Sequence, residues 1–287
     1  MIFLSISKTE LTLNYVFLDT NILISLGMNQ WSLIPKIDRL IDRKKIKLLV
    51  PKILKEEWKR NKSKIYNRLY KKINNAKNDA KENLLFILSI VDLINDDKQK
   101  NQDIIKIISD IDPEALATQL SSNYSNGIEK IIDHENSIQL DISDKNKIFA
   151  ATHALEKKAP FHKNNMSMAD ALMFFNILDW AEEYKIPKIL FVSTNVNDFS
   201  QNKQEDRESL HSDLQALAKL KEIEIDYFIN IVEVLRNIED SNITENEVII
   251  GKTVSRIILF KNYLNHSLDQ TTINQVKLEI EKLEKQL

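Results

Sequence analysis

Five acidic residues stand beside short apolar runs of this sequence, and their placement suits chemistry with a divalent metal ion. Asp19 directly follows the apolar run 15–18, and Asp198 comes shortly after the run 189–192. A carboxylate at the end of a buried strand costs stability unless another group pairs with it, and a metal ion can do so. For Asp19 alone, the alternative is a residue that caps the next helix. The five acids are Asp19, Glu56, Glu57, Asp170 and Asp198.

The elements that must position these acids follow from the apolar runs, four of which are predicted to be strands. In a parallel sheet, the carboxyl ends of the strands share one edge with the amino ends of the following helices, and ligands bind there. Glu57 lies in the first turns of the helix after the second strand, so we expect Asp19, Glu57 and Asp198 to converge. Asp170 opens the helix before the third strand, so the order of the strands does not determine whether it lies at the same edge of the sheet. The predicted strands are 15–18, 46–50, 189–192 and 223–227.

Three or four converging carboxylates suit a hard cation. The chain has no cysteine, which excludes thiolate sites and disulfides, and oxygen ligands favour Mg²⁺ or Mn²⁺. Such a site can deprotonate a water molecule and stabilise the leaving oxygen of an in-line phosphodiester displacement, usually with two ions about 3.5–4 Å apart. A phosphatase with an aspartyl nucleophile is an alternative, but it usually carries a second Asp two residues after the first, where this chain has Asn21.

Four short motifs, taken in order, resemble those of PIN domain nucleases. The resemblance covers about residues 14–62 and 148–230. It implies an α/β fold, a PIN-like three-layer α/β/α sandwich with a central parallel sheet, and divalent-metal-dependent cleavage of RNA, less often of DNA. It also implies that Asp170 joins the other acids. The motifs are VFLDTN (16–21), VPKILKEEW (50–58), NMSMADA (165–171) and FVSTNVNDF (191–199).

The resemblance also implies the residues of the site. In the second motif an acid precedes a large apolar residue, so Glu57 matches rather than Glu56. Asn195 stands where many members carry another acid, and it would be a weaker, neutral ligand. His211 follows the fourth motif and is a candidate contact of the scissile phosphate, with packing as the alternative. The implied catalytic and metal-binding residues are Asp19, Glu57, Asp170 and Asp198, with Asn195 as a further ligand and Thr20, Asn21, Thr194 and His211 as substrate contacts.

The net charge of −2 hides a strongly basic segment followed by an acidic one. Residues 43–72 hold 13 Lys and Arg against two acids, and residues 92–144 hold 12 acids against 4 Lys. A basic helix is predicted over 52–72, and a charged face on it, with tyrosines nearby, suits an RNA backbone. The alternatives are a solvated helix or one docked on the acidic segment. The predicted RNA contacts on this helix are Lys64, Arg68, Lys71 and Lys72, beside Tyr66 and Tyr70.

The chain is predicted to contain one nuclease domain, 14–240, and a C-terminal helical extension, 241–287. Residues 63–147 separate the second motif from the third and are predicted to be a helical insertion. Its last part, 112–147, is polar, with Asp112-Pro113 and Asn126-Gly127 as breakers. An apolar stripe along 272–287 predicts packing on the core or the contact of a homodimer.

Composition and charge also bear on location and partners. No apolar run approaches the roughly 20 residues of a membrane span, so we expect a cytoplasmic protein that does not bind membranes. The expected partner is an RNA substrate. An inhibitory or activating protein partner stays open, because PIN domains include toxins, RNA-processing enzymes and defence effectors. A non-catalytic PIN-like module that only binds RNA and a metal-dependent DNA nuclease are the remaining alternatives.

Overall fold

The computed structural model describes residues 13–91, 106, 108–163, 168–201 and 207–239. The predicted C-terminal extension, 241–287, lies outside these described residues, together with its apolar stripe. Three residues of the third motif, 165–167, lie outside them as well.

A parallel sheet of five strands forms the centre of the described fold, in the order β3-β2-β1-β4-β5. The two strands at its middle, β1 and β4, are continuous apolar runs because helices cover both faces of the sheet. The fold is therefore the predicted α/β/α sandwich. The strands are β1 (Asn14–Leu18), β2 (Ile46–Pro51), β3 (Ile138–Leu140), β4 (Lys188–Val192) and β5 (Glu224–Phe228).

Helices connect these strands and bury one core that includes most of their apolar side chains. Within the described residues, no helix is both long and apolar enough to cross a membrane. The helices are α1 (Thr20–Asn29), α2 (Ile34–Asp42), α3 (Lys52–Asn61), α4 (Ser63–Val91), α5 (Pro113–Ile132), α6 (Asp144–Leu155), α7 (Met168–Glu183), α8 (Val196–Phe199), α9 (Ser212–Leu220) and α10 (Ile231–Glu239).

The four predicted strands are confirmed as β1, β2, β4 and β5, and β3 is a strand that the sequence pattern did not predict. It has only three residues, of which the outer two are apolar, so its alternation is too short to distinguish from a loop. It pairs with β2 in parallel, with Ile138 opposite Leu49. The last part of the predicted insertion, 63–147, therefore contributes a strand to the central sheet.

Helix α5 runs through Asn126-Gly127, so the predicted break at that position is wrong. Buried side chains recur along the helix at the spacing of one face, and this stripe holds it on the core. Gly127 fits because Ile34 packs against it: a Cβ built there would lie 3.2 Å from the Ile34 Cγ2 atom. Asp112 and Pro113 act as the start of the helix, since the Asp112 carboxylate accepts the backbone N–H of Glu114 at 2.9 Å.

The predicted basic helix over 52–72 is divided in two. Helix α3 ends at Asn61, and α4 begins at Ser63, with Lys62 between them. Helix α4 then packs along α5 through apolar side chains that include Ile65 and Leu69, both buried. The division separates the turn that carries Glu57 from the long helix that carries most of the exposed basic residues.

Candidate metal centre

Asp19 lies at the carboxyl end of β1, in the middle of the sheet, and is almost completely buried, with 1% of its surface exposed. It occupies the N-cap position of α1, but its side chain makes no capping hydrogen bond. Its Oδ2 atom instead accepts the hydroxyl of Ser193 at 2.6 Å. Ser193 is therefore the main side-chain partner of this carboxylate, while the backbone of Thr20 and Asn21 at the start of α1 also lowers its pKa.

Glu57 reaches the same edge of the sheet from the second turn of α3. Its Oε2 atom accepts the hydroxyl of Thr20 at 2.8 Å, and Thr20 directly follows Asp19 in the chain. Glu56 is exposed, because adjacent helical residues point about 100° apart. The structure therefore brings Glu57, and not Glu56, to Asp19. Thr20, predicted to contact substrate, is buried and holds Glu57.

Asp170 and Asp198 meet through the amide of Asn195. The Asn195 Nδ2 atom donates to Asp198 Oδ2 at 2.7 Å and to Asp170 Oδ2 at 3.3 Å. Asp170 lies in the first turn of α7, and Asp198 lies in the short helix α8 that follows β4. Asp170 therefore joins the acids, as the resemblance implied and as strand order alone did not decide.

The charges of the cluster act on one another. Burial, followed by the neighbouring charges of Asp19, Asp198 and Glu57, raises the pKa of Asp170 to about 9. Burial also raises the pKa of Asp19 to about 6, against the hydrogen bond from Ser193 that lowers it. At neutral pH the metal-free cluster therefore keeps a proton on Asp170, and a cation can take the place of that proton.

The four acids, all within the described residues, have the donor chemistry for a hard divalent cation, although no three of them bring carboxylate oxygens within 4.8 Å of one another. Carboxylates from four separate stretches of the chain supply oxygen donors, and Asn195 can supply an amide oxygen by turning its side chain. Oxygen donors of this kind suit Mg²⁺ or Mn²⁺ better than the softer metals that select thiolate or imidazole. The donor set and the retained proton both indicate a place for a cation.

The sequence profile of the PIN domain matches residues 16–199, which include all four carboxylates and most of the described sheet. The chain belongs to the PIN domain family. No curated protein and no solved structure matches it significantly. The nuclease-type fold of PIN domains thus agrees with the cluster of acids at the carboxyl edge of the sheet.

The other predicted substrate contacts of this PIN domain lie at the rim of the centre or farther away. Asn21 and Thr194 are exposed, each next to a residue that supports the cluster or belongs to it. His211 is buried: its Nδ1 atom accepts the backbone N–H of Asp213 at 3.2 Å, and its ring lies 4.4 Å from that of His162. The structure therefore gives His211 a packing and capping role at the start of α9.

Ser193 is a site residue that sequence reasoning missed. It is fully buried, donates to Asp19, and has its own carbonyl held by the Tyr227 hydroxyl at 3.1 Å. The register of β1 and β4 pairs Leu18 with Val192, so the residues that follow these two are neighbours. A polar residue directly after a strand adjacent to β1 was the signal that could have identified it.

A second group of possible ligands, Asp38, Asp42 and His134, lies at the opposite edge of the sheet, where β2 and β3 begin. The His134 Nδ1 atom accepts the backbone N–H of Asn136 at 3.1 Å, so the Nε2 atom carries the proton and donates to Asp42 at 2.9 Å. Asp38 pairs with Lys130. A metal ion would have to displace that proton, but the buried Asp38 Oδ1 atom has no hydrogen-bond partner among the described residues, so ion pairs and hydrogen bonds account for only part of this group.

Proposed function

We propose that this PIN domain is a metal-dependent endoribonuclease that hydrolyses phosphodiester bonds of single-stranded RNA. The observation that carries the proposal is the convergence of four carboxylates, Asp19, Glu57, Asp170 and Asp198, on one edge of the sheet. Buried like charges cost stability, and a purely structural core would not collect them. Their cost is offset when a divalent cation binds.

Each acid of the cluster has a partner that fixes its direction. Ser193 orients Asp19, Thr20 orients Glu57, and Asn195 spans Asp170 and Asp198. Such partners hold ligands in the geometry that a metal requires. When bound, Mg²⁺ or Mn²⁺ lowers the pKa of a water molecule and stabilises the charge on the leaving oxygen. The acids themselves bind the cation and can take the proton that the water loses.

The exposed residues beside the cluster suit a nucleic-acid substrate. Asn21 and Thr194 present polar side chains at the rim, where they can donate to phosphate oxygens or to the 2′-hydroxyl groups of RNA. A phosphodiester bond held there would lie next to the carboxylate cluster.

The proposal is tested with purified protein and a circular single-stranded RNA, which only an endonuclease can open. We expect cleavage with Mg²⁺ or Mn²⁺, none with EDTA, and none from Asp19→Asn or Asp170→Asn. Glu56→Gln is the matched control, because this exposed acid adjoins the site without entering it. Cleavage that persists in EDTA or in both Asp variants contradicts the proposal. Binding of the RNA without any cleavage favours the non-catalytic module, and cleavage of circular DNA alone favours the DNA nuclease.

A role as a toxin or defence effector in the cytoplasm is part of the same proposal and rests on the family resemblance. We expect induced expression in bacteria to arrest growth, and Asp19→Asn to relieve the arrest at equal protein level. Arrest by both forms would show that growth inhibition does not come from the acid cluster.

A further inference from the structure

We propose that an exposed basic face of α4 binds the phosphate backbone of single-stranded RNA outside the metal centre. This inference rests on the proposed function for the class of nucleic acid. The face, here called the basic stripe, consists of Lys64, Arg68, Lys71 and Lys72.

The basic stripe lies on the side of α4 that the core does not use. Arg68 lies four residues after Lys64, and Lys71 and Lys72 lie three and four residues after Arg68, so the four share one broad face of the helix. All four are exposed. The helix docks on the core through Ile65 and Leu69, both buried, and through Ile73. Docking and the basic stripe therefore occupy different sides of the same helix.

Within the described residues, two acids of the acidic segment that follows in the sequence pair with cations outside the basic stripe. Lys55 pairs with Asp133 and Lys62 pairs with Glu129, so part of the basic segment does dock on α5 and the turn after it. Among the residues that the structure describes, no acid pairs with a member of the basic stripe. Internal docking therefore explains Lys55 and Lys62 and leaves the charge of the basic stripe directed to solvent.

The basic stripe begins close to the elements that build the metal centre. Ile65 packs against α1 at Gly27, where a Cβ would lie 3.0 Å from the Ile65 Cδ1 atom, and the Arg68 guanidinium contacts the sulfur of Met28 at 3.6 Å. Helix α1 starts at Thr20, which holds Glu57. Seven helical residues span about 10 Å, so the centre and the start of the basic stripe are a few nucleotides apart. One strand of RNA can contact both.

The chemistry of the basic stripe fits a phosphate backbone. Three of its four members are lysines, which act as point charges and do not discriminate among bases, whereas Arg68 can bind phosphate with two donors. Tyr70, 38% exposed, stacks on Tyr66 with ring centroids 6.3 Å apart, and at about 100° per residue both lie on another side of α4 than the basic stripe. The partner that suits this face is an unpaired RNA strand held by its backbone, independently of sequence.

The test measures binding of a labelled single-stranded RNA of about 20 nucleotides, longer than the roughly 4–16 nucleotides that an OB fold covers. All proteins carry Asp19→Asn, and EDTA is present, so no RNA is cut. One variant adds Lys64→Glu, Arg68→Glu, Lys71→Glu and Lys72→Glu. The control adds Arg39→Glu, Arg43→Glu, Lys185→Glu and Lys219→Glu, which change the net charge by the same amount. These four residues are exposed and lie near the amino ends of the strands, at the edge of the sheet opposite the metal centre.

We expect the stripe variant to bind about tenfold or more weakly, with a log–log salt slope flatter by about 3, since each lost phosphate contact removes about 0.7. The control should keep both values. Equal loss in both variants, or an unchanged salt slope in the stripe variant, overturns the inference. The same four residues changed to Gln provide a milder version, which keeps the test valid if charge reversal prevents folding.

The outcome is separable from that of the proposed function. Binding is measured without metal and without cleavage, so RNA that is held by the basic stripe but never cut contradicts the nuclease proposal alone. Suppose that the unaltered chain cleaves RNA with metal and that the stripe variant keeps its salt slope. This result contradicts only the proposal that the basic stripe binds RNA.

Discussion

The proton held by the metal-free cluster predicts a pH-dependent affinity for metal. The pKa of Asp170 is raised from 3.8 to about 9 and that of Asp19 to about 6, chiefly by burial. A cation binds the ionised carboxylates, so it must displace the proton of Asp170 at any pH below about 9 and also that of Asp19 below about 6. Metal binding should therefore release protons and become tighter as the pH rises.

The magnitude follows from counting the protons displaced. One displaced proton changes the apparent Kd about tenfold for each pH unit, so affinity should rise about tenfold per unit between about pH 6 and 9 and then level off. Below about pH 6 a second proton makes the dependence steeper. In the absence of metal, folding stability has the opposite dependence on pH. The native state holds more protons than the unfolded chain between about pH 4 and 9, so folding stability should fall as the pH rises through that range.

Isothermal titration calorimetry with Mn²⁺ measures both quantities. Titrations in buffers of different ionisation enthalpy give the number of protons released, which should be close to one per bound ion near pH 7.5, between the two pKa values. Asp170→Asn should abolish that release and flatten the loss of stability at high pH. An affinity that does not change between about pH 7 and 8 in the unaltered protein would refute the assignment of a shared, proton-bearing cluster.

Three further substitutions, one of them with a matched control, test single contacts. Glu57→Gln should abolish cleavage and the metal-induced rise in melting temperature, whereas Glu56→Gln should spare both; the reverse result would shift the second motif by one residue. Ser193→Ala should raise the pKa of Asp19 above about 6 and cost about 1.5–3 kcal/mol in urea unfolding at pH 8, because a buried carboxylate loses its donor. Leu69→Ala should cost about 2–5 kcal/mol in the same measurement without moving metal affinity, and a change in affinity would argue against independence of α4 and the centre.

Most of the metal centre could be predicted from the sequence, because the patterns that indicate it are local in the chain. A continuous apolar run before Asp19 predicts a buried parallel strand, and the order of strands and helices predicts that Glu57 and Asp198 meet it. Asp170 could not be placed by that rule, since it precedes its strand, and only the family resemblance brought it in. Local signals failed where a contact distant in sequence decides the outcome. The short strand β3 is held by β2, and Gly127 remains helical because Ile34 packs against it.

Ser193 and Asn195 show a second limit. Ser193 donates to an acid 174 positions earlier in the chain. Asn195 donates hydrogen bonds to two carboxylates and so bridges them. The positions of Ser193 and Asp19 along the sequence contain no information on their bond until the register of β1 and β4 is known, whereas Asn195 and Asp198 are only three residues apart. Residues that support a site are therefore less visible in a sequence than the residues that form it.

The order of the strands has a consequence for the synthesis of this protein. Strand β1 lies between β2 and β4, but β4 and Asp198 are translated more than 160 residues after β1 begins. A ribosome-bound chain therefore lacks one neighbour of its central strand, and one carboxylate of its centre, until translation is well advanced. If the protein cuts RNA as proposed, it would in this way stay inactive beside its own messenger RNA until β4 joins the sheet.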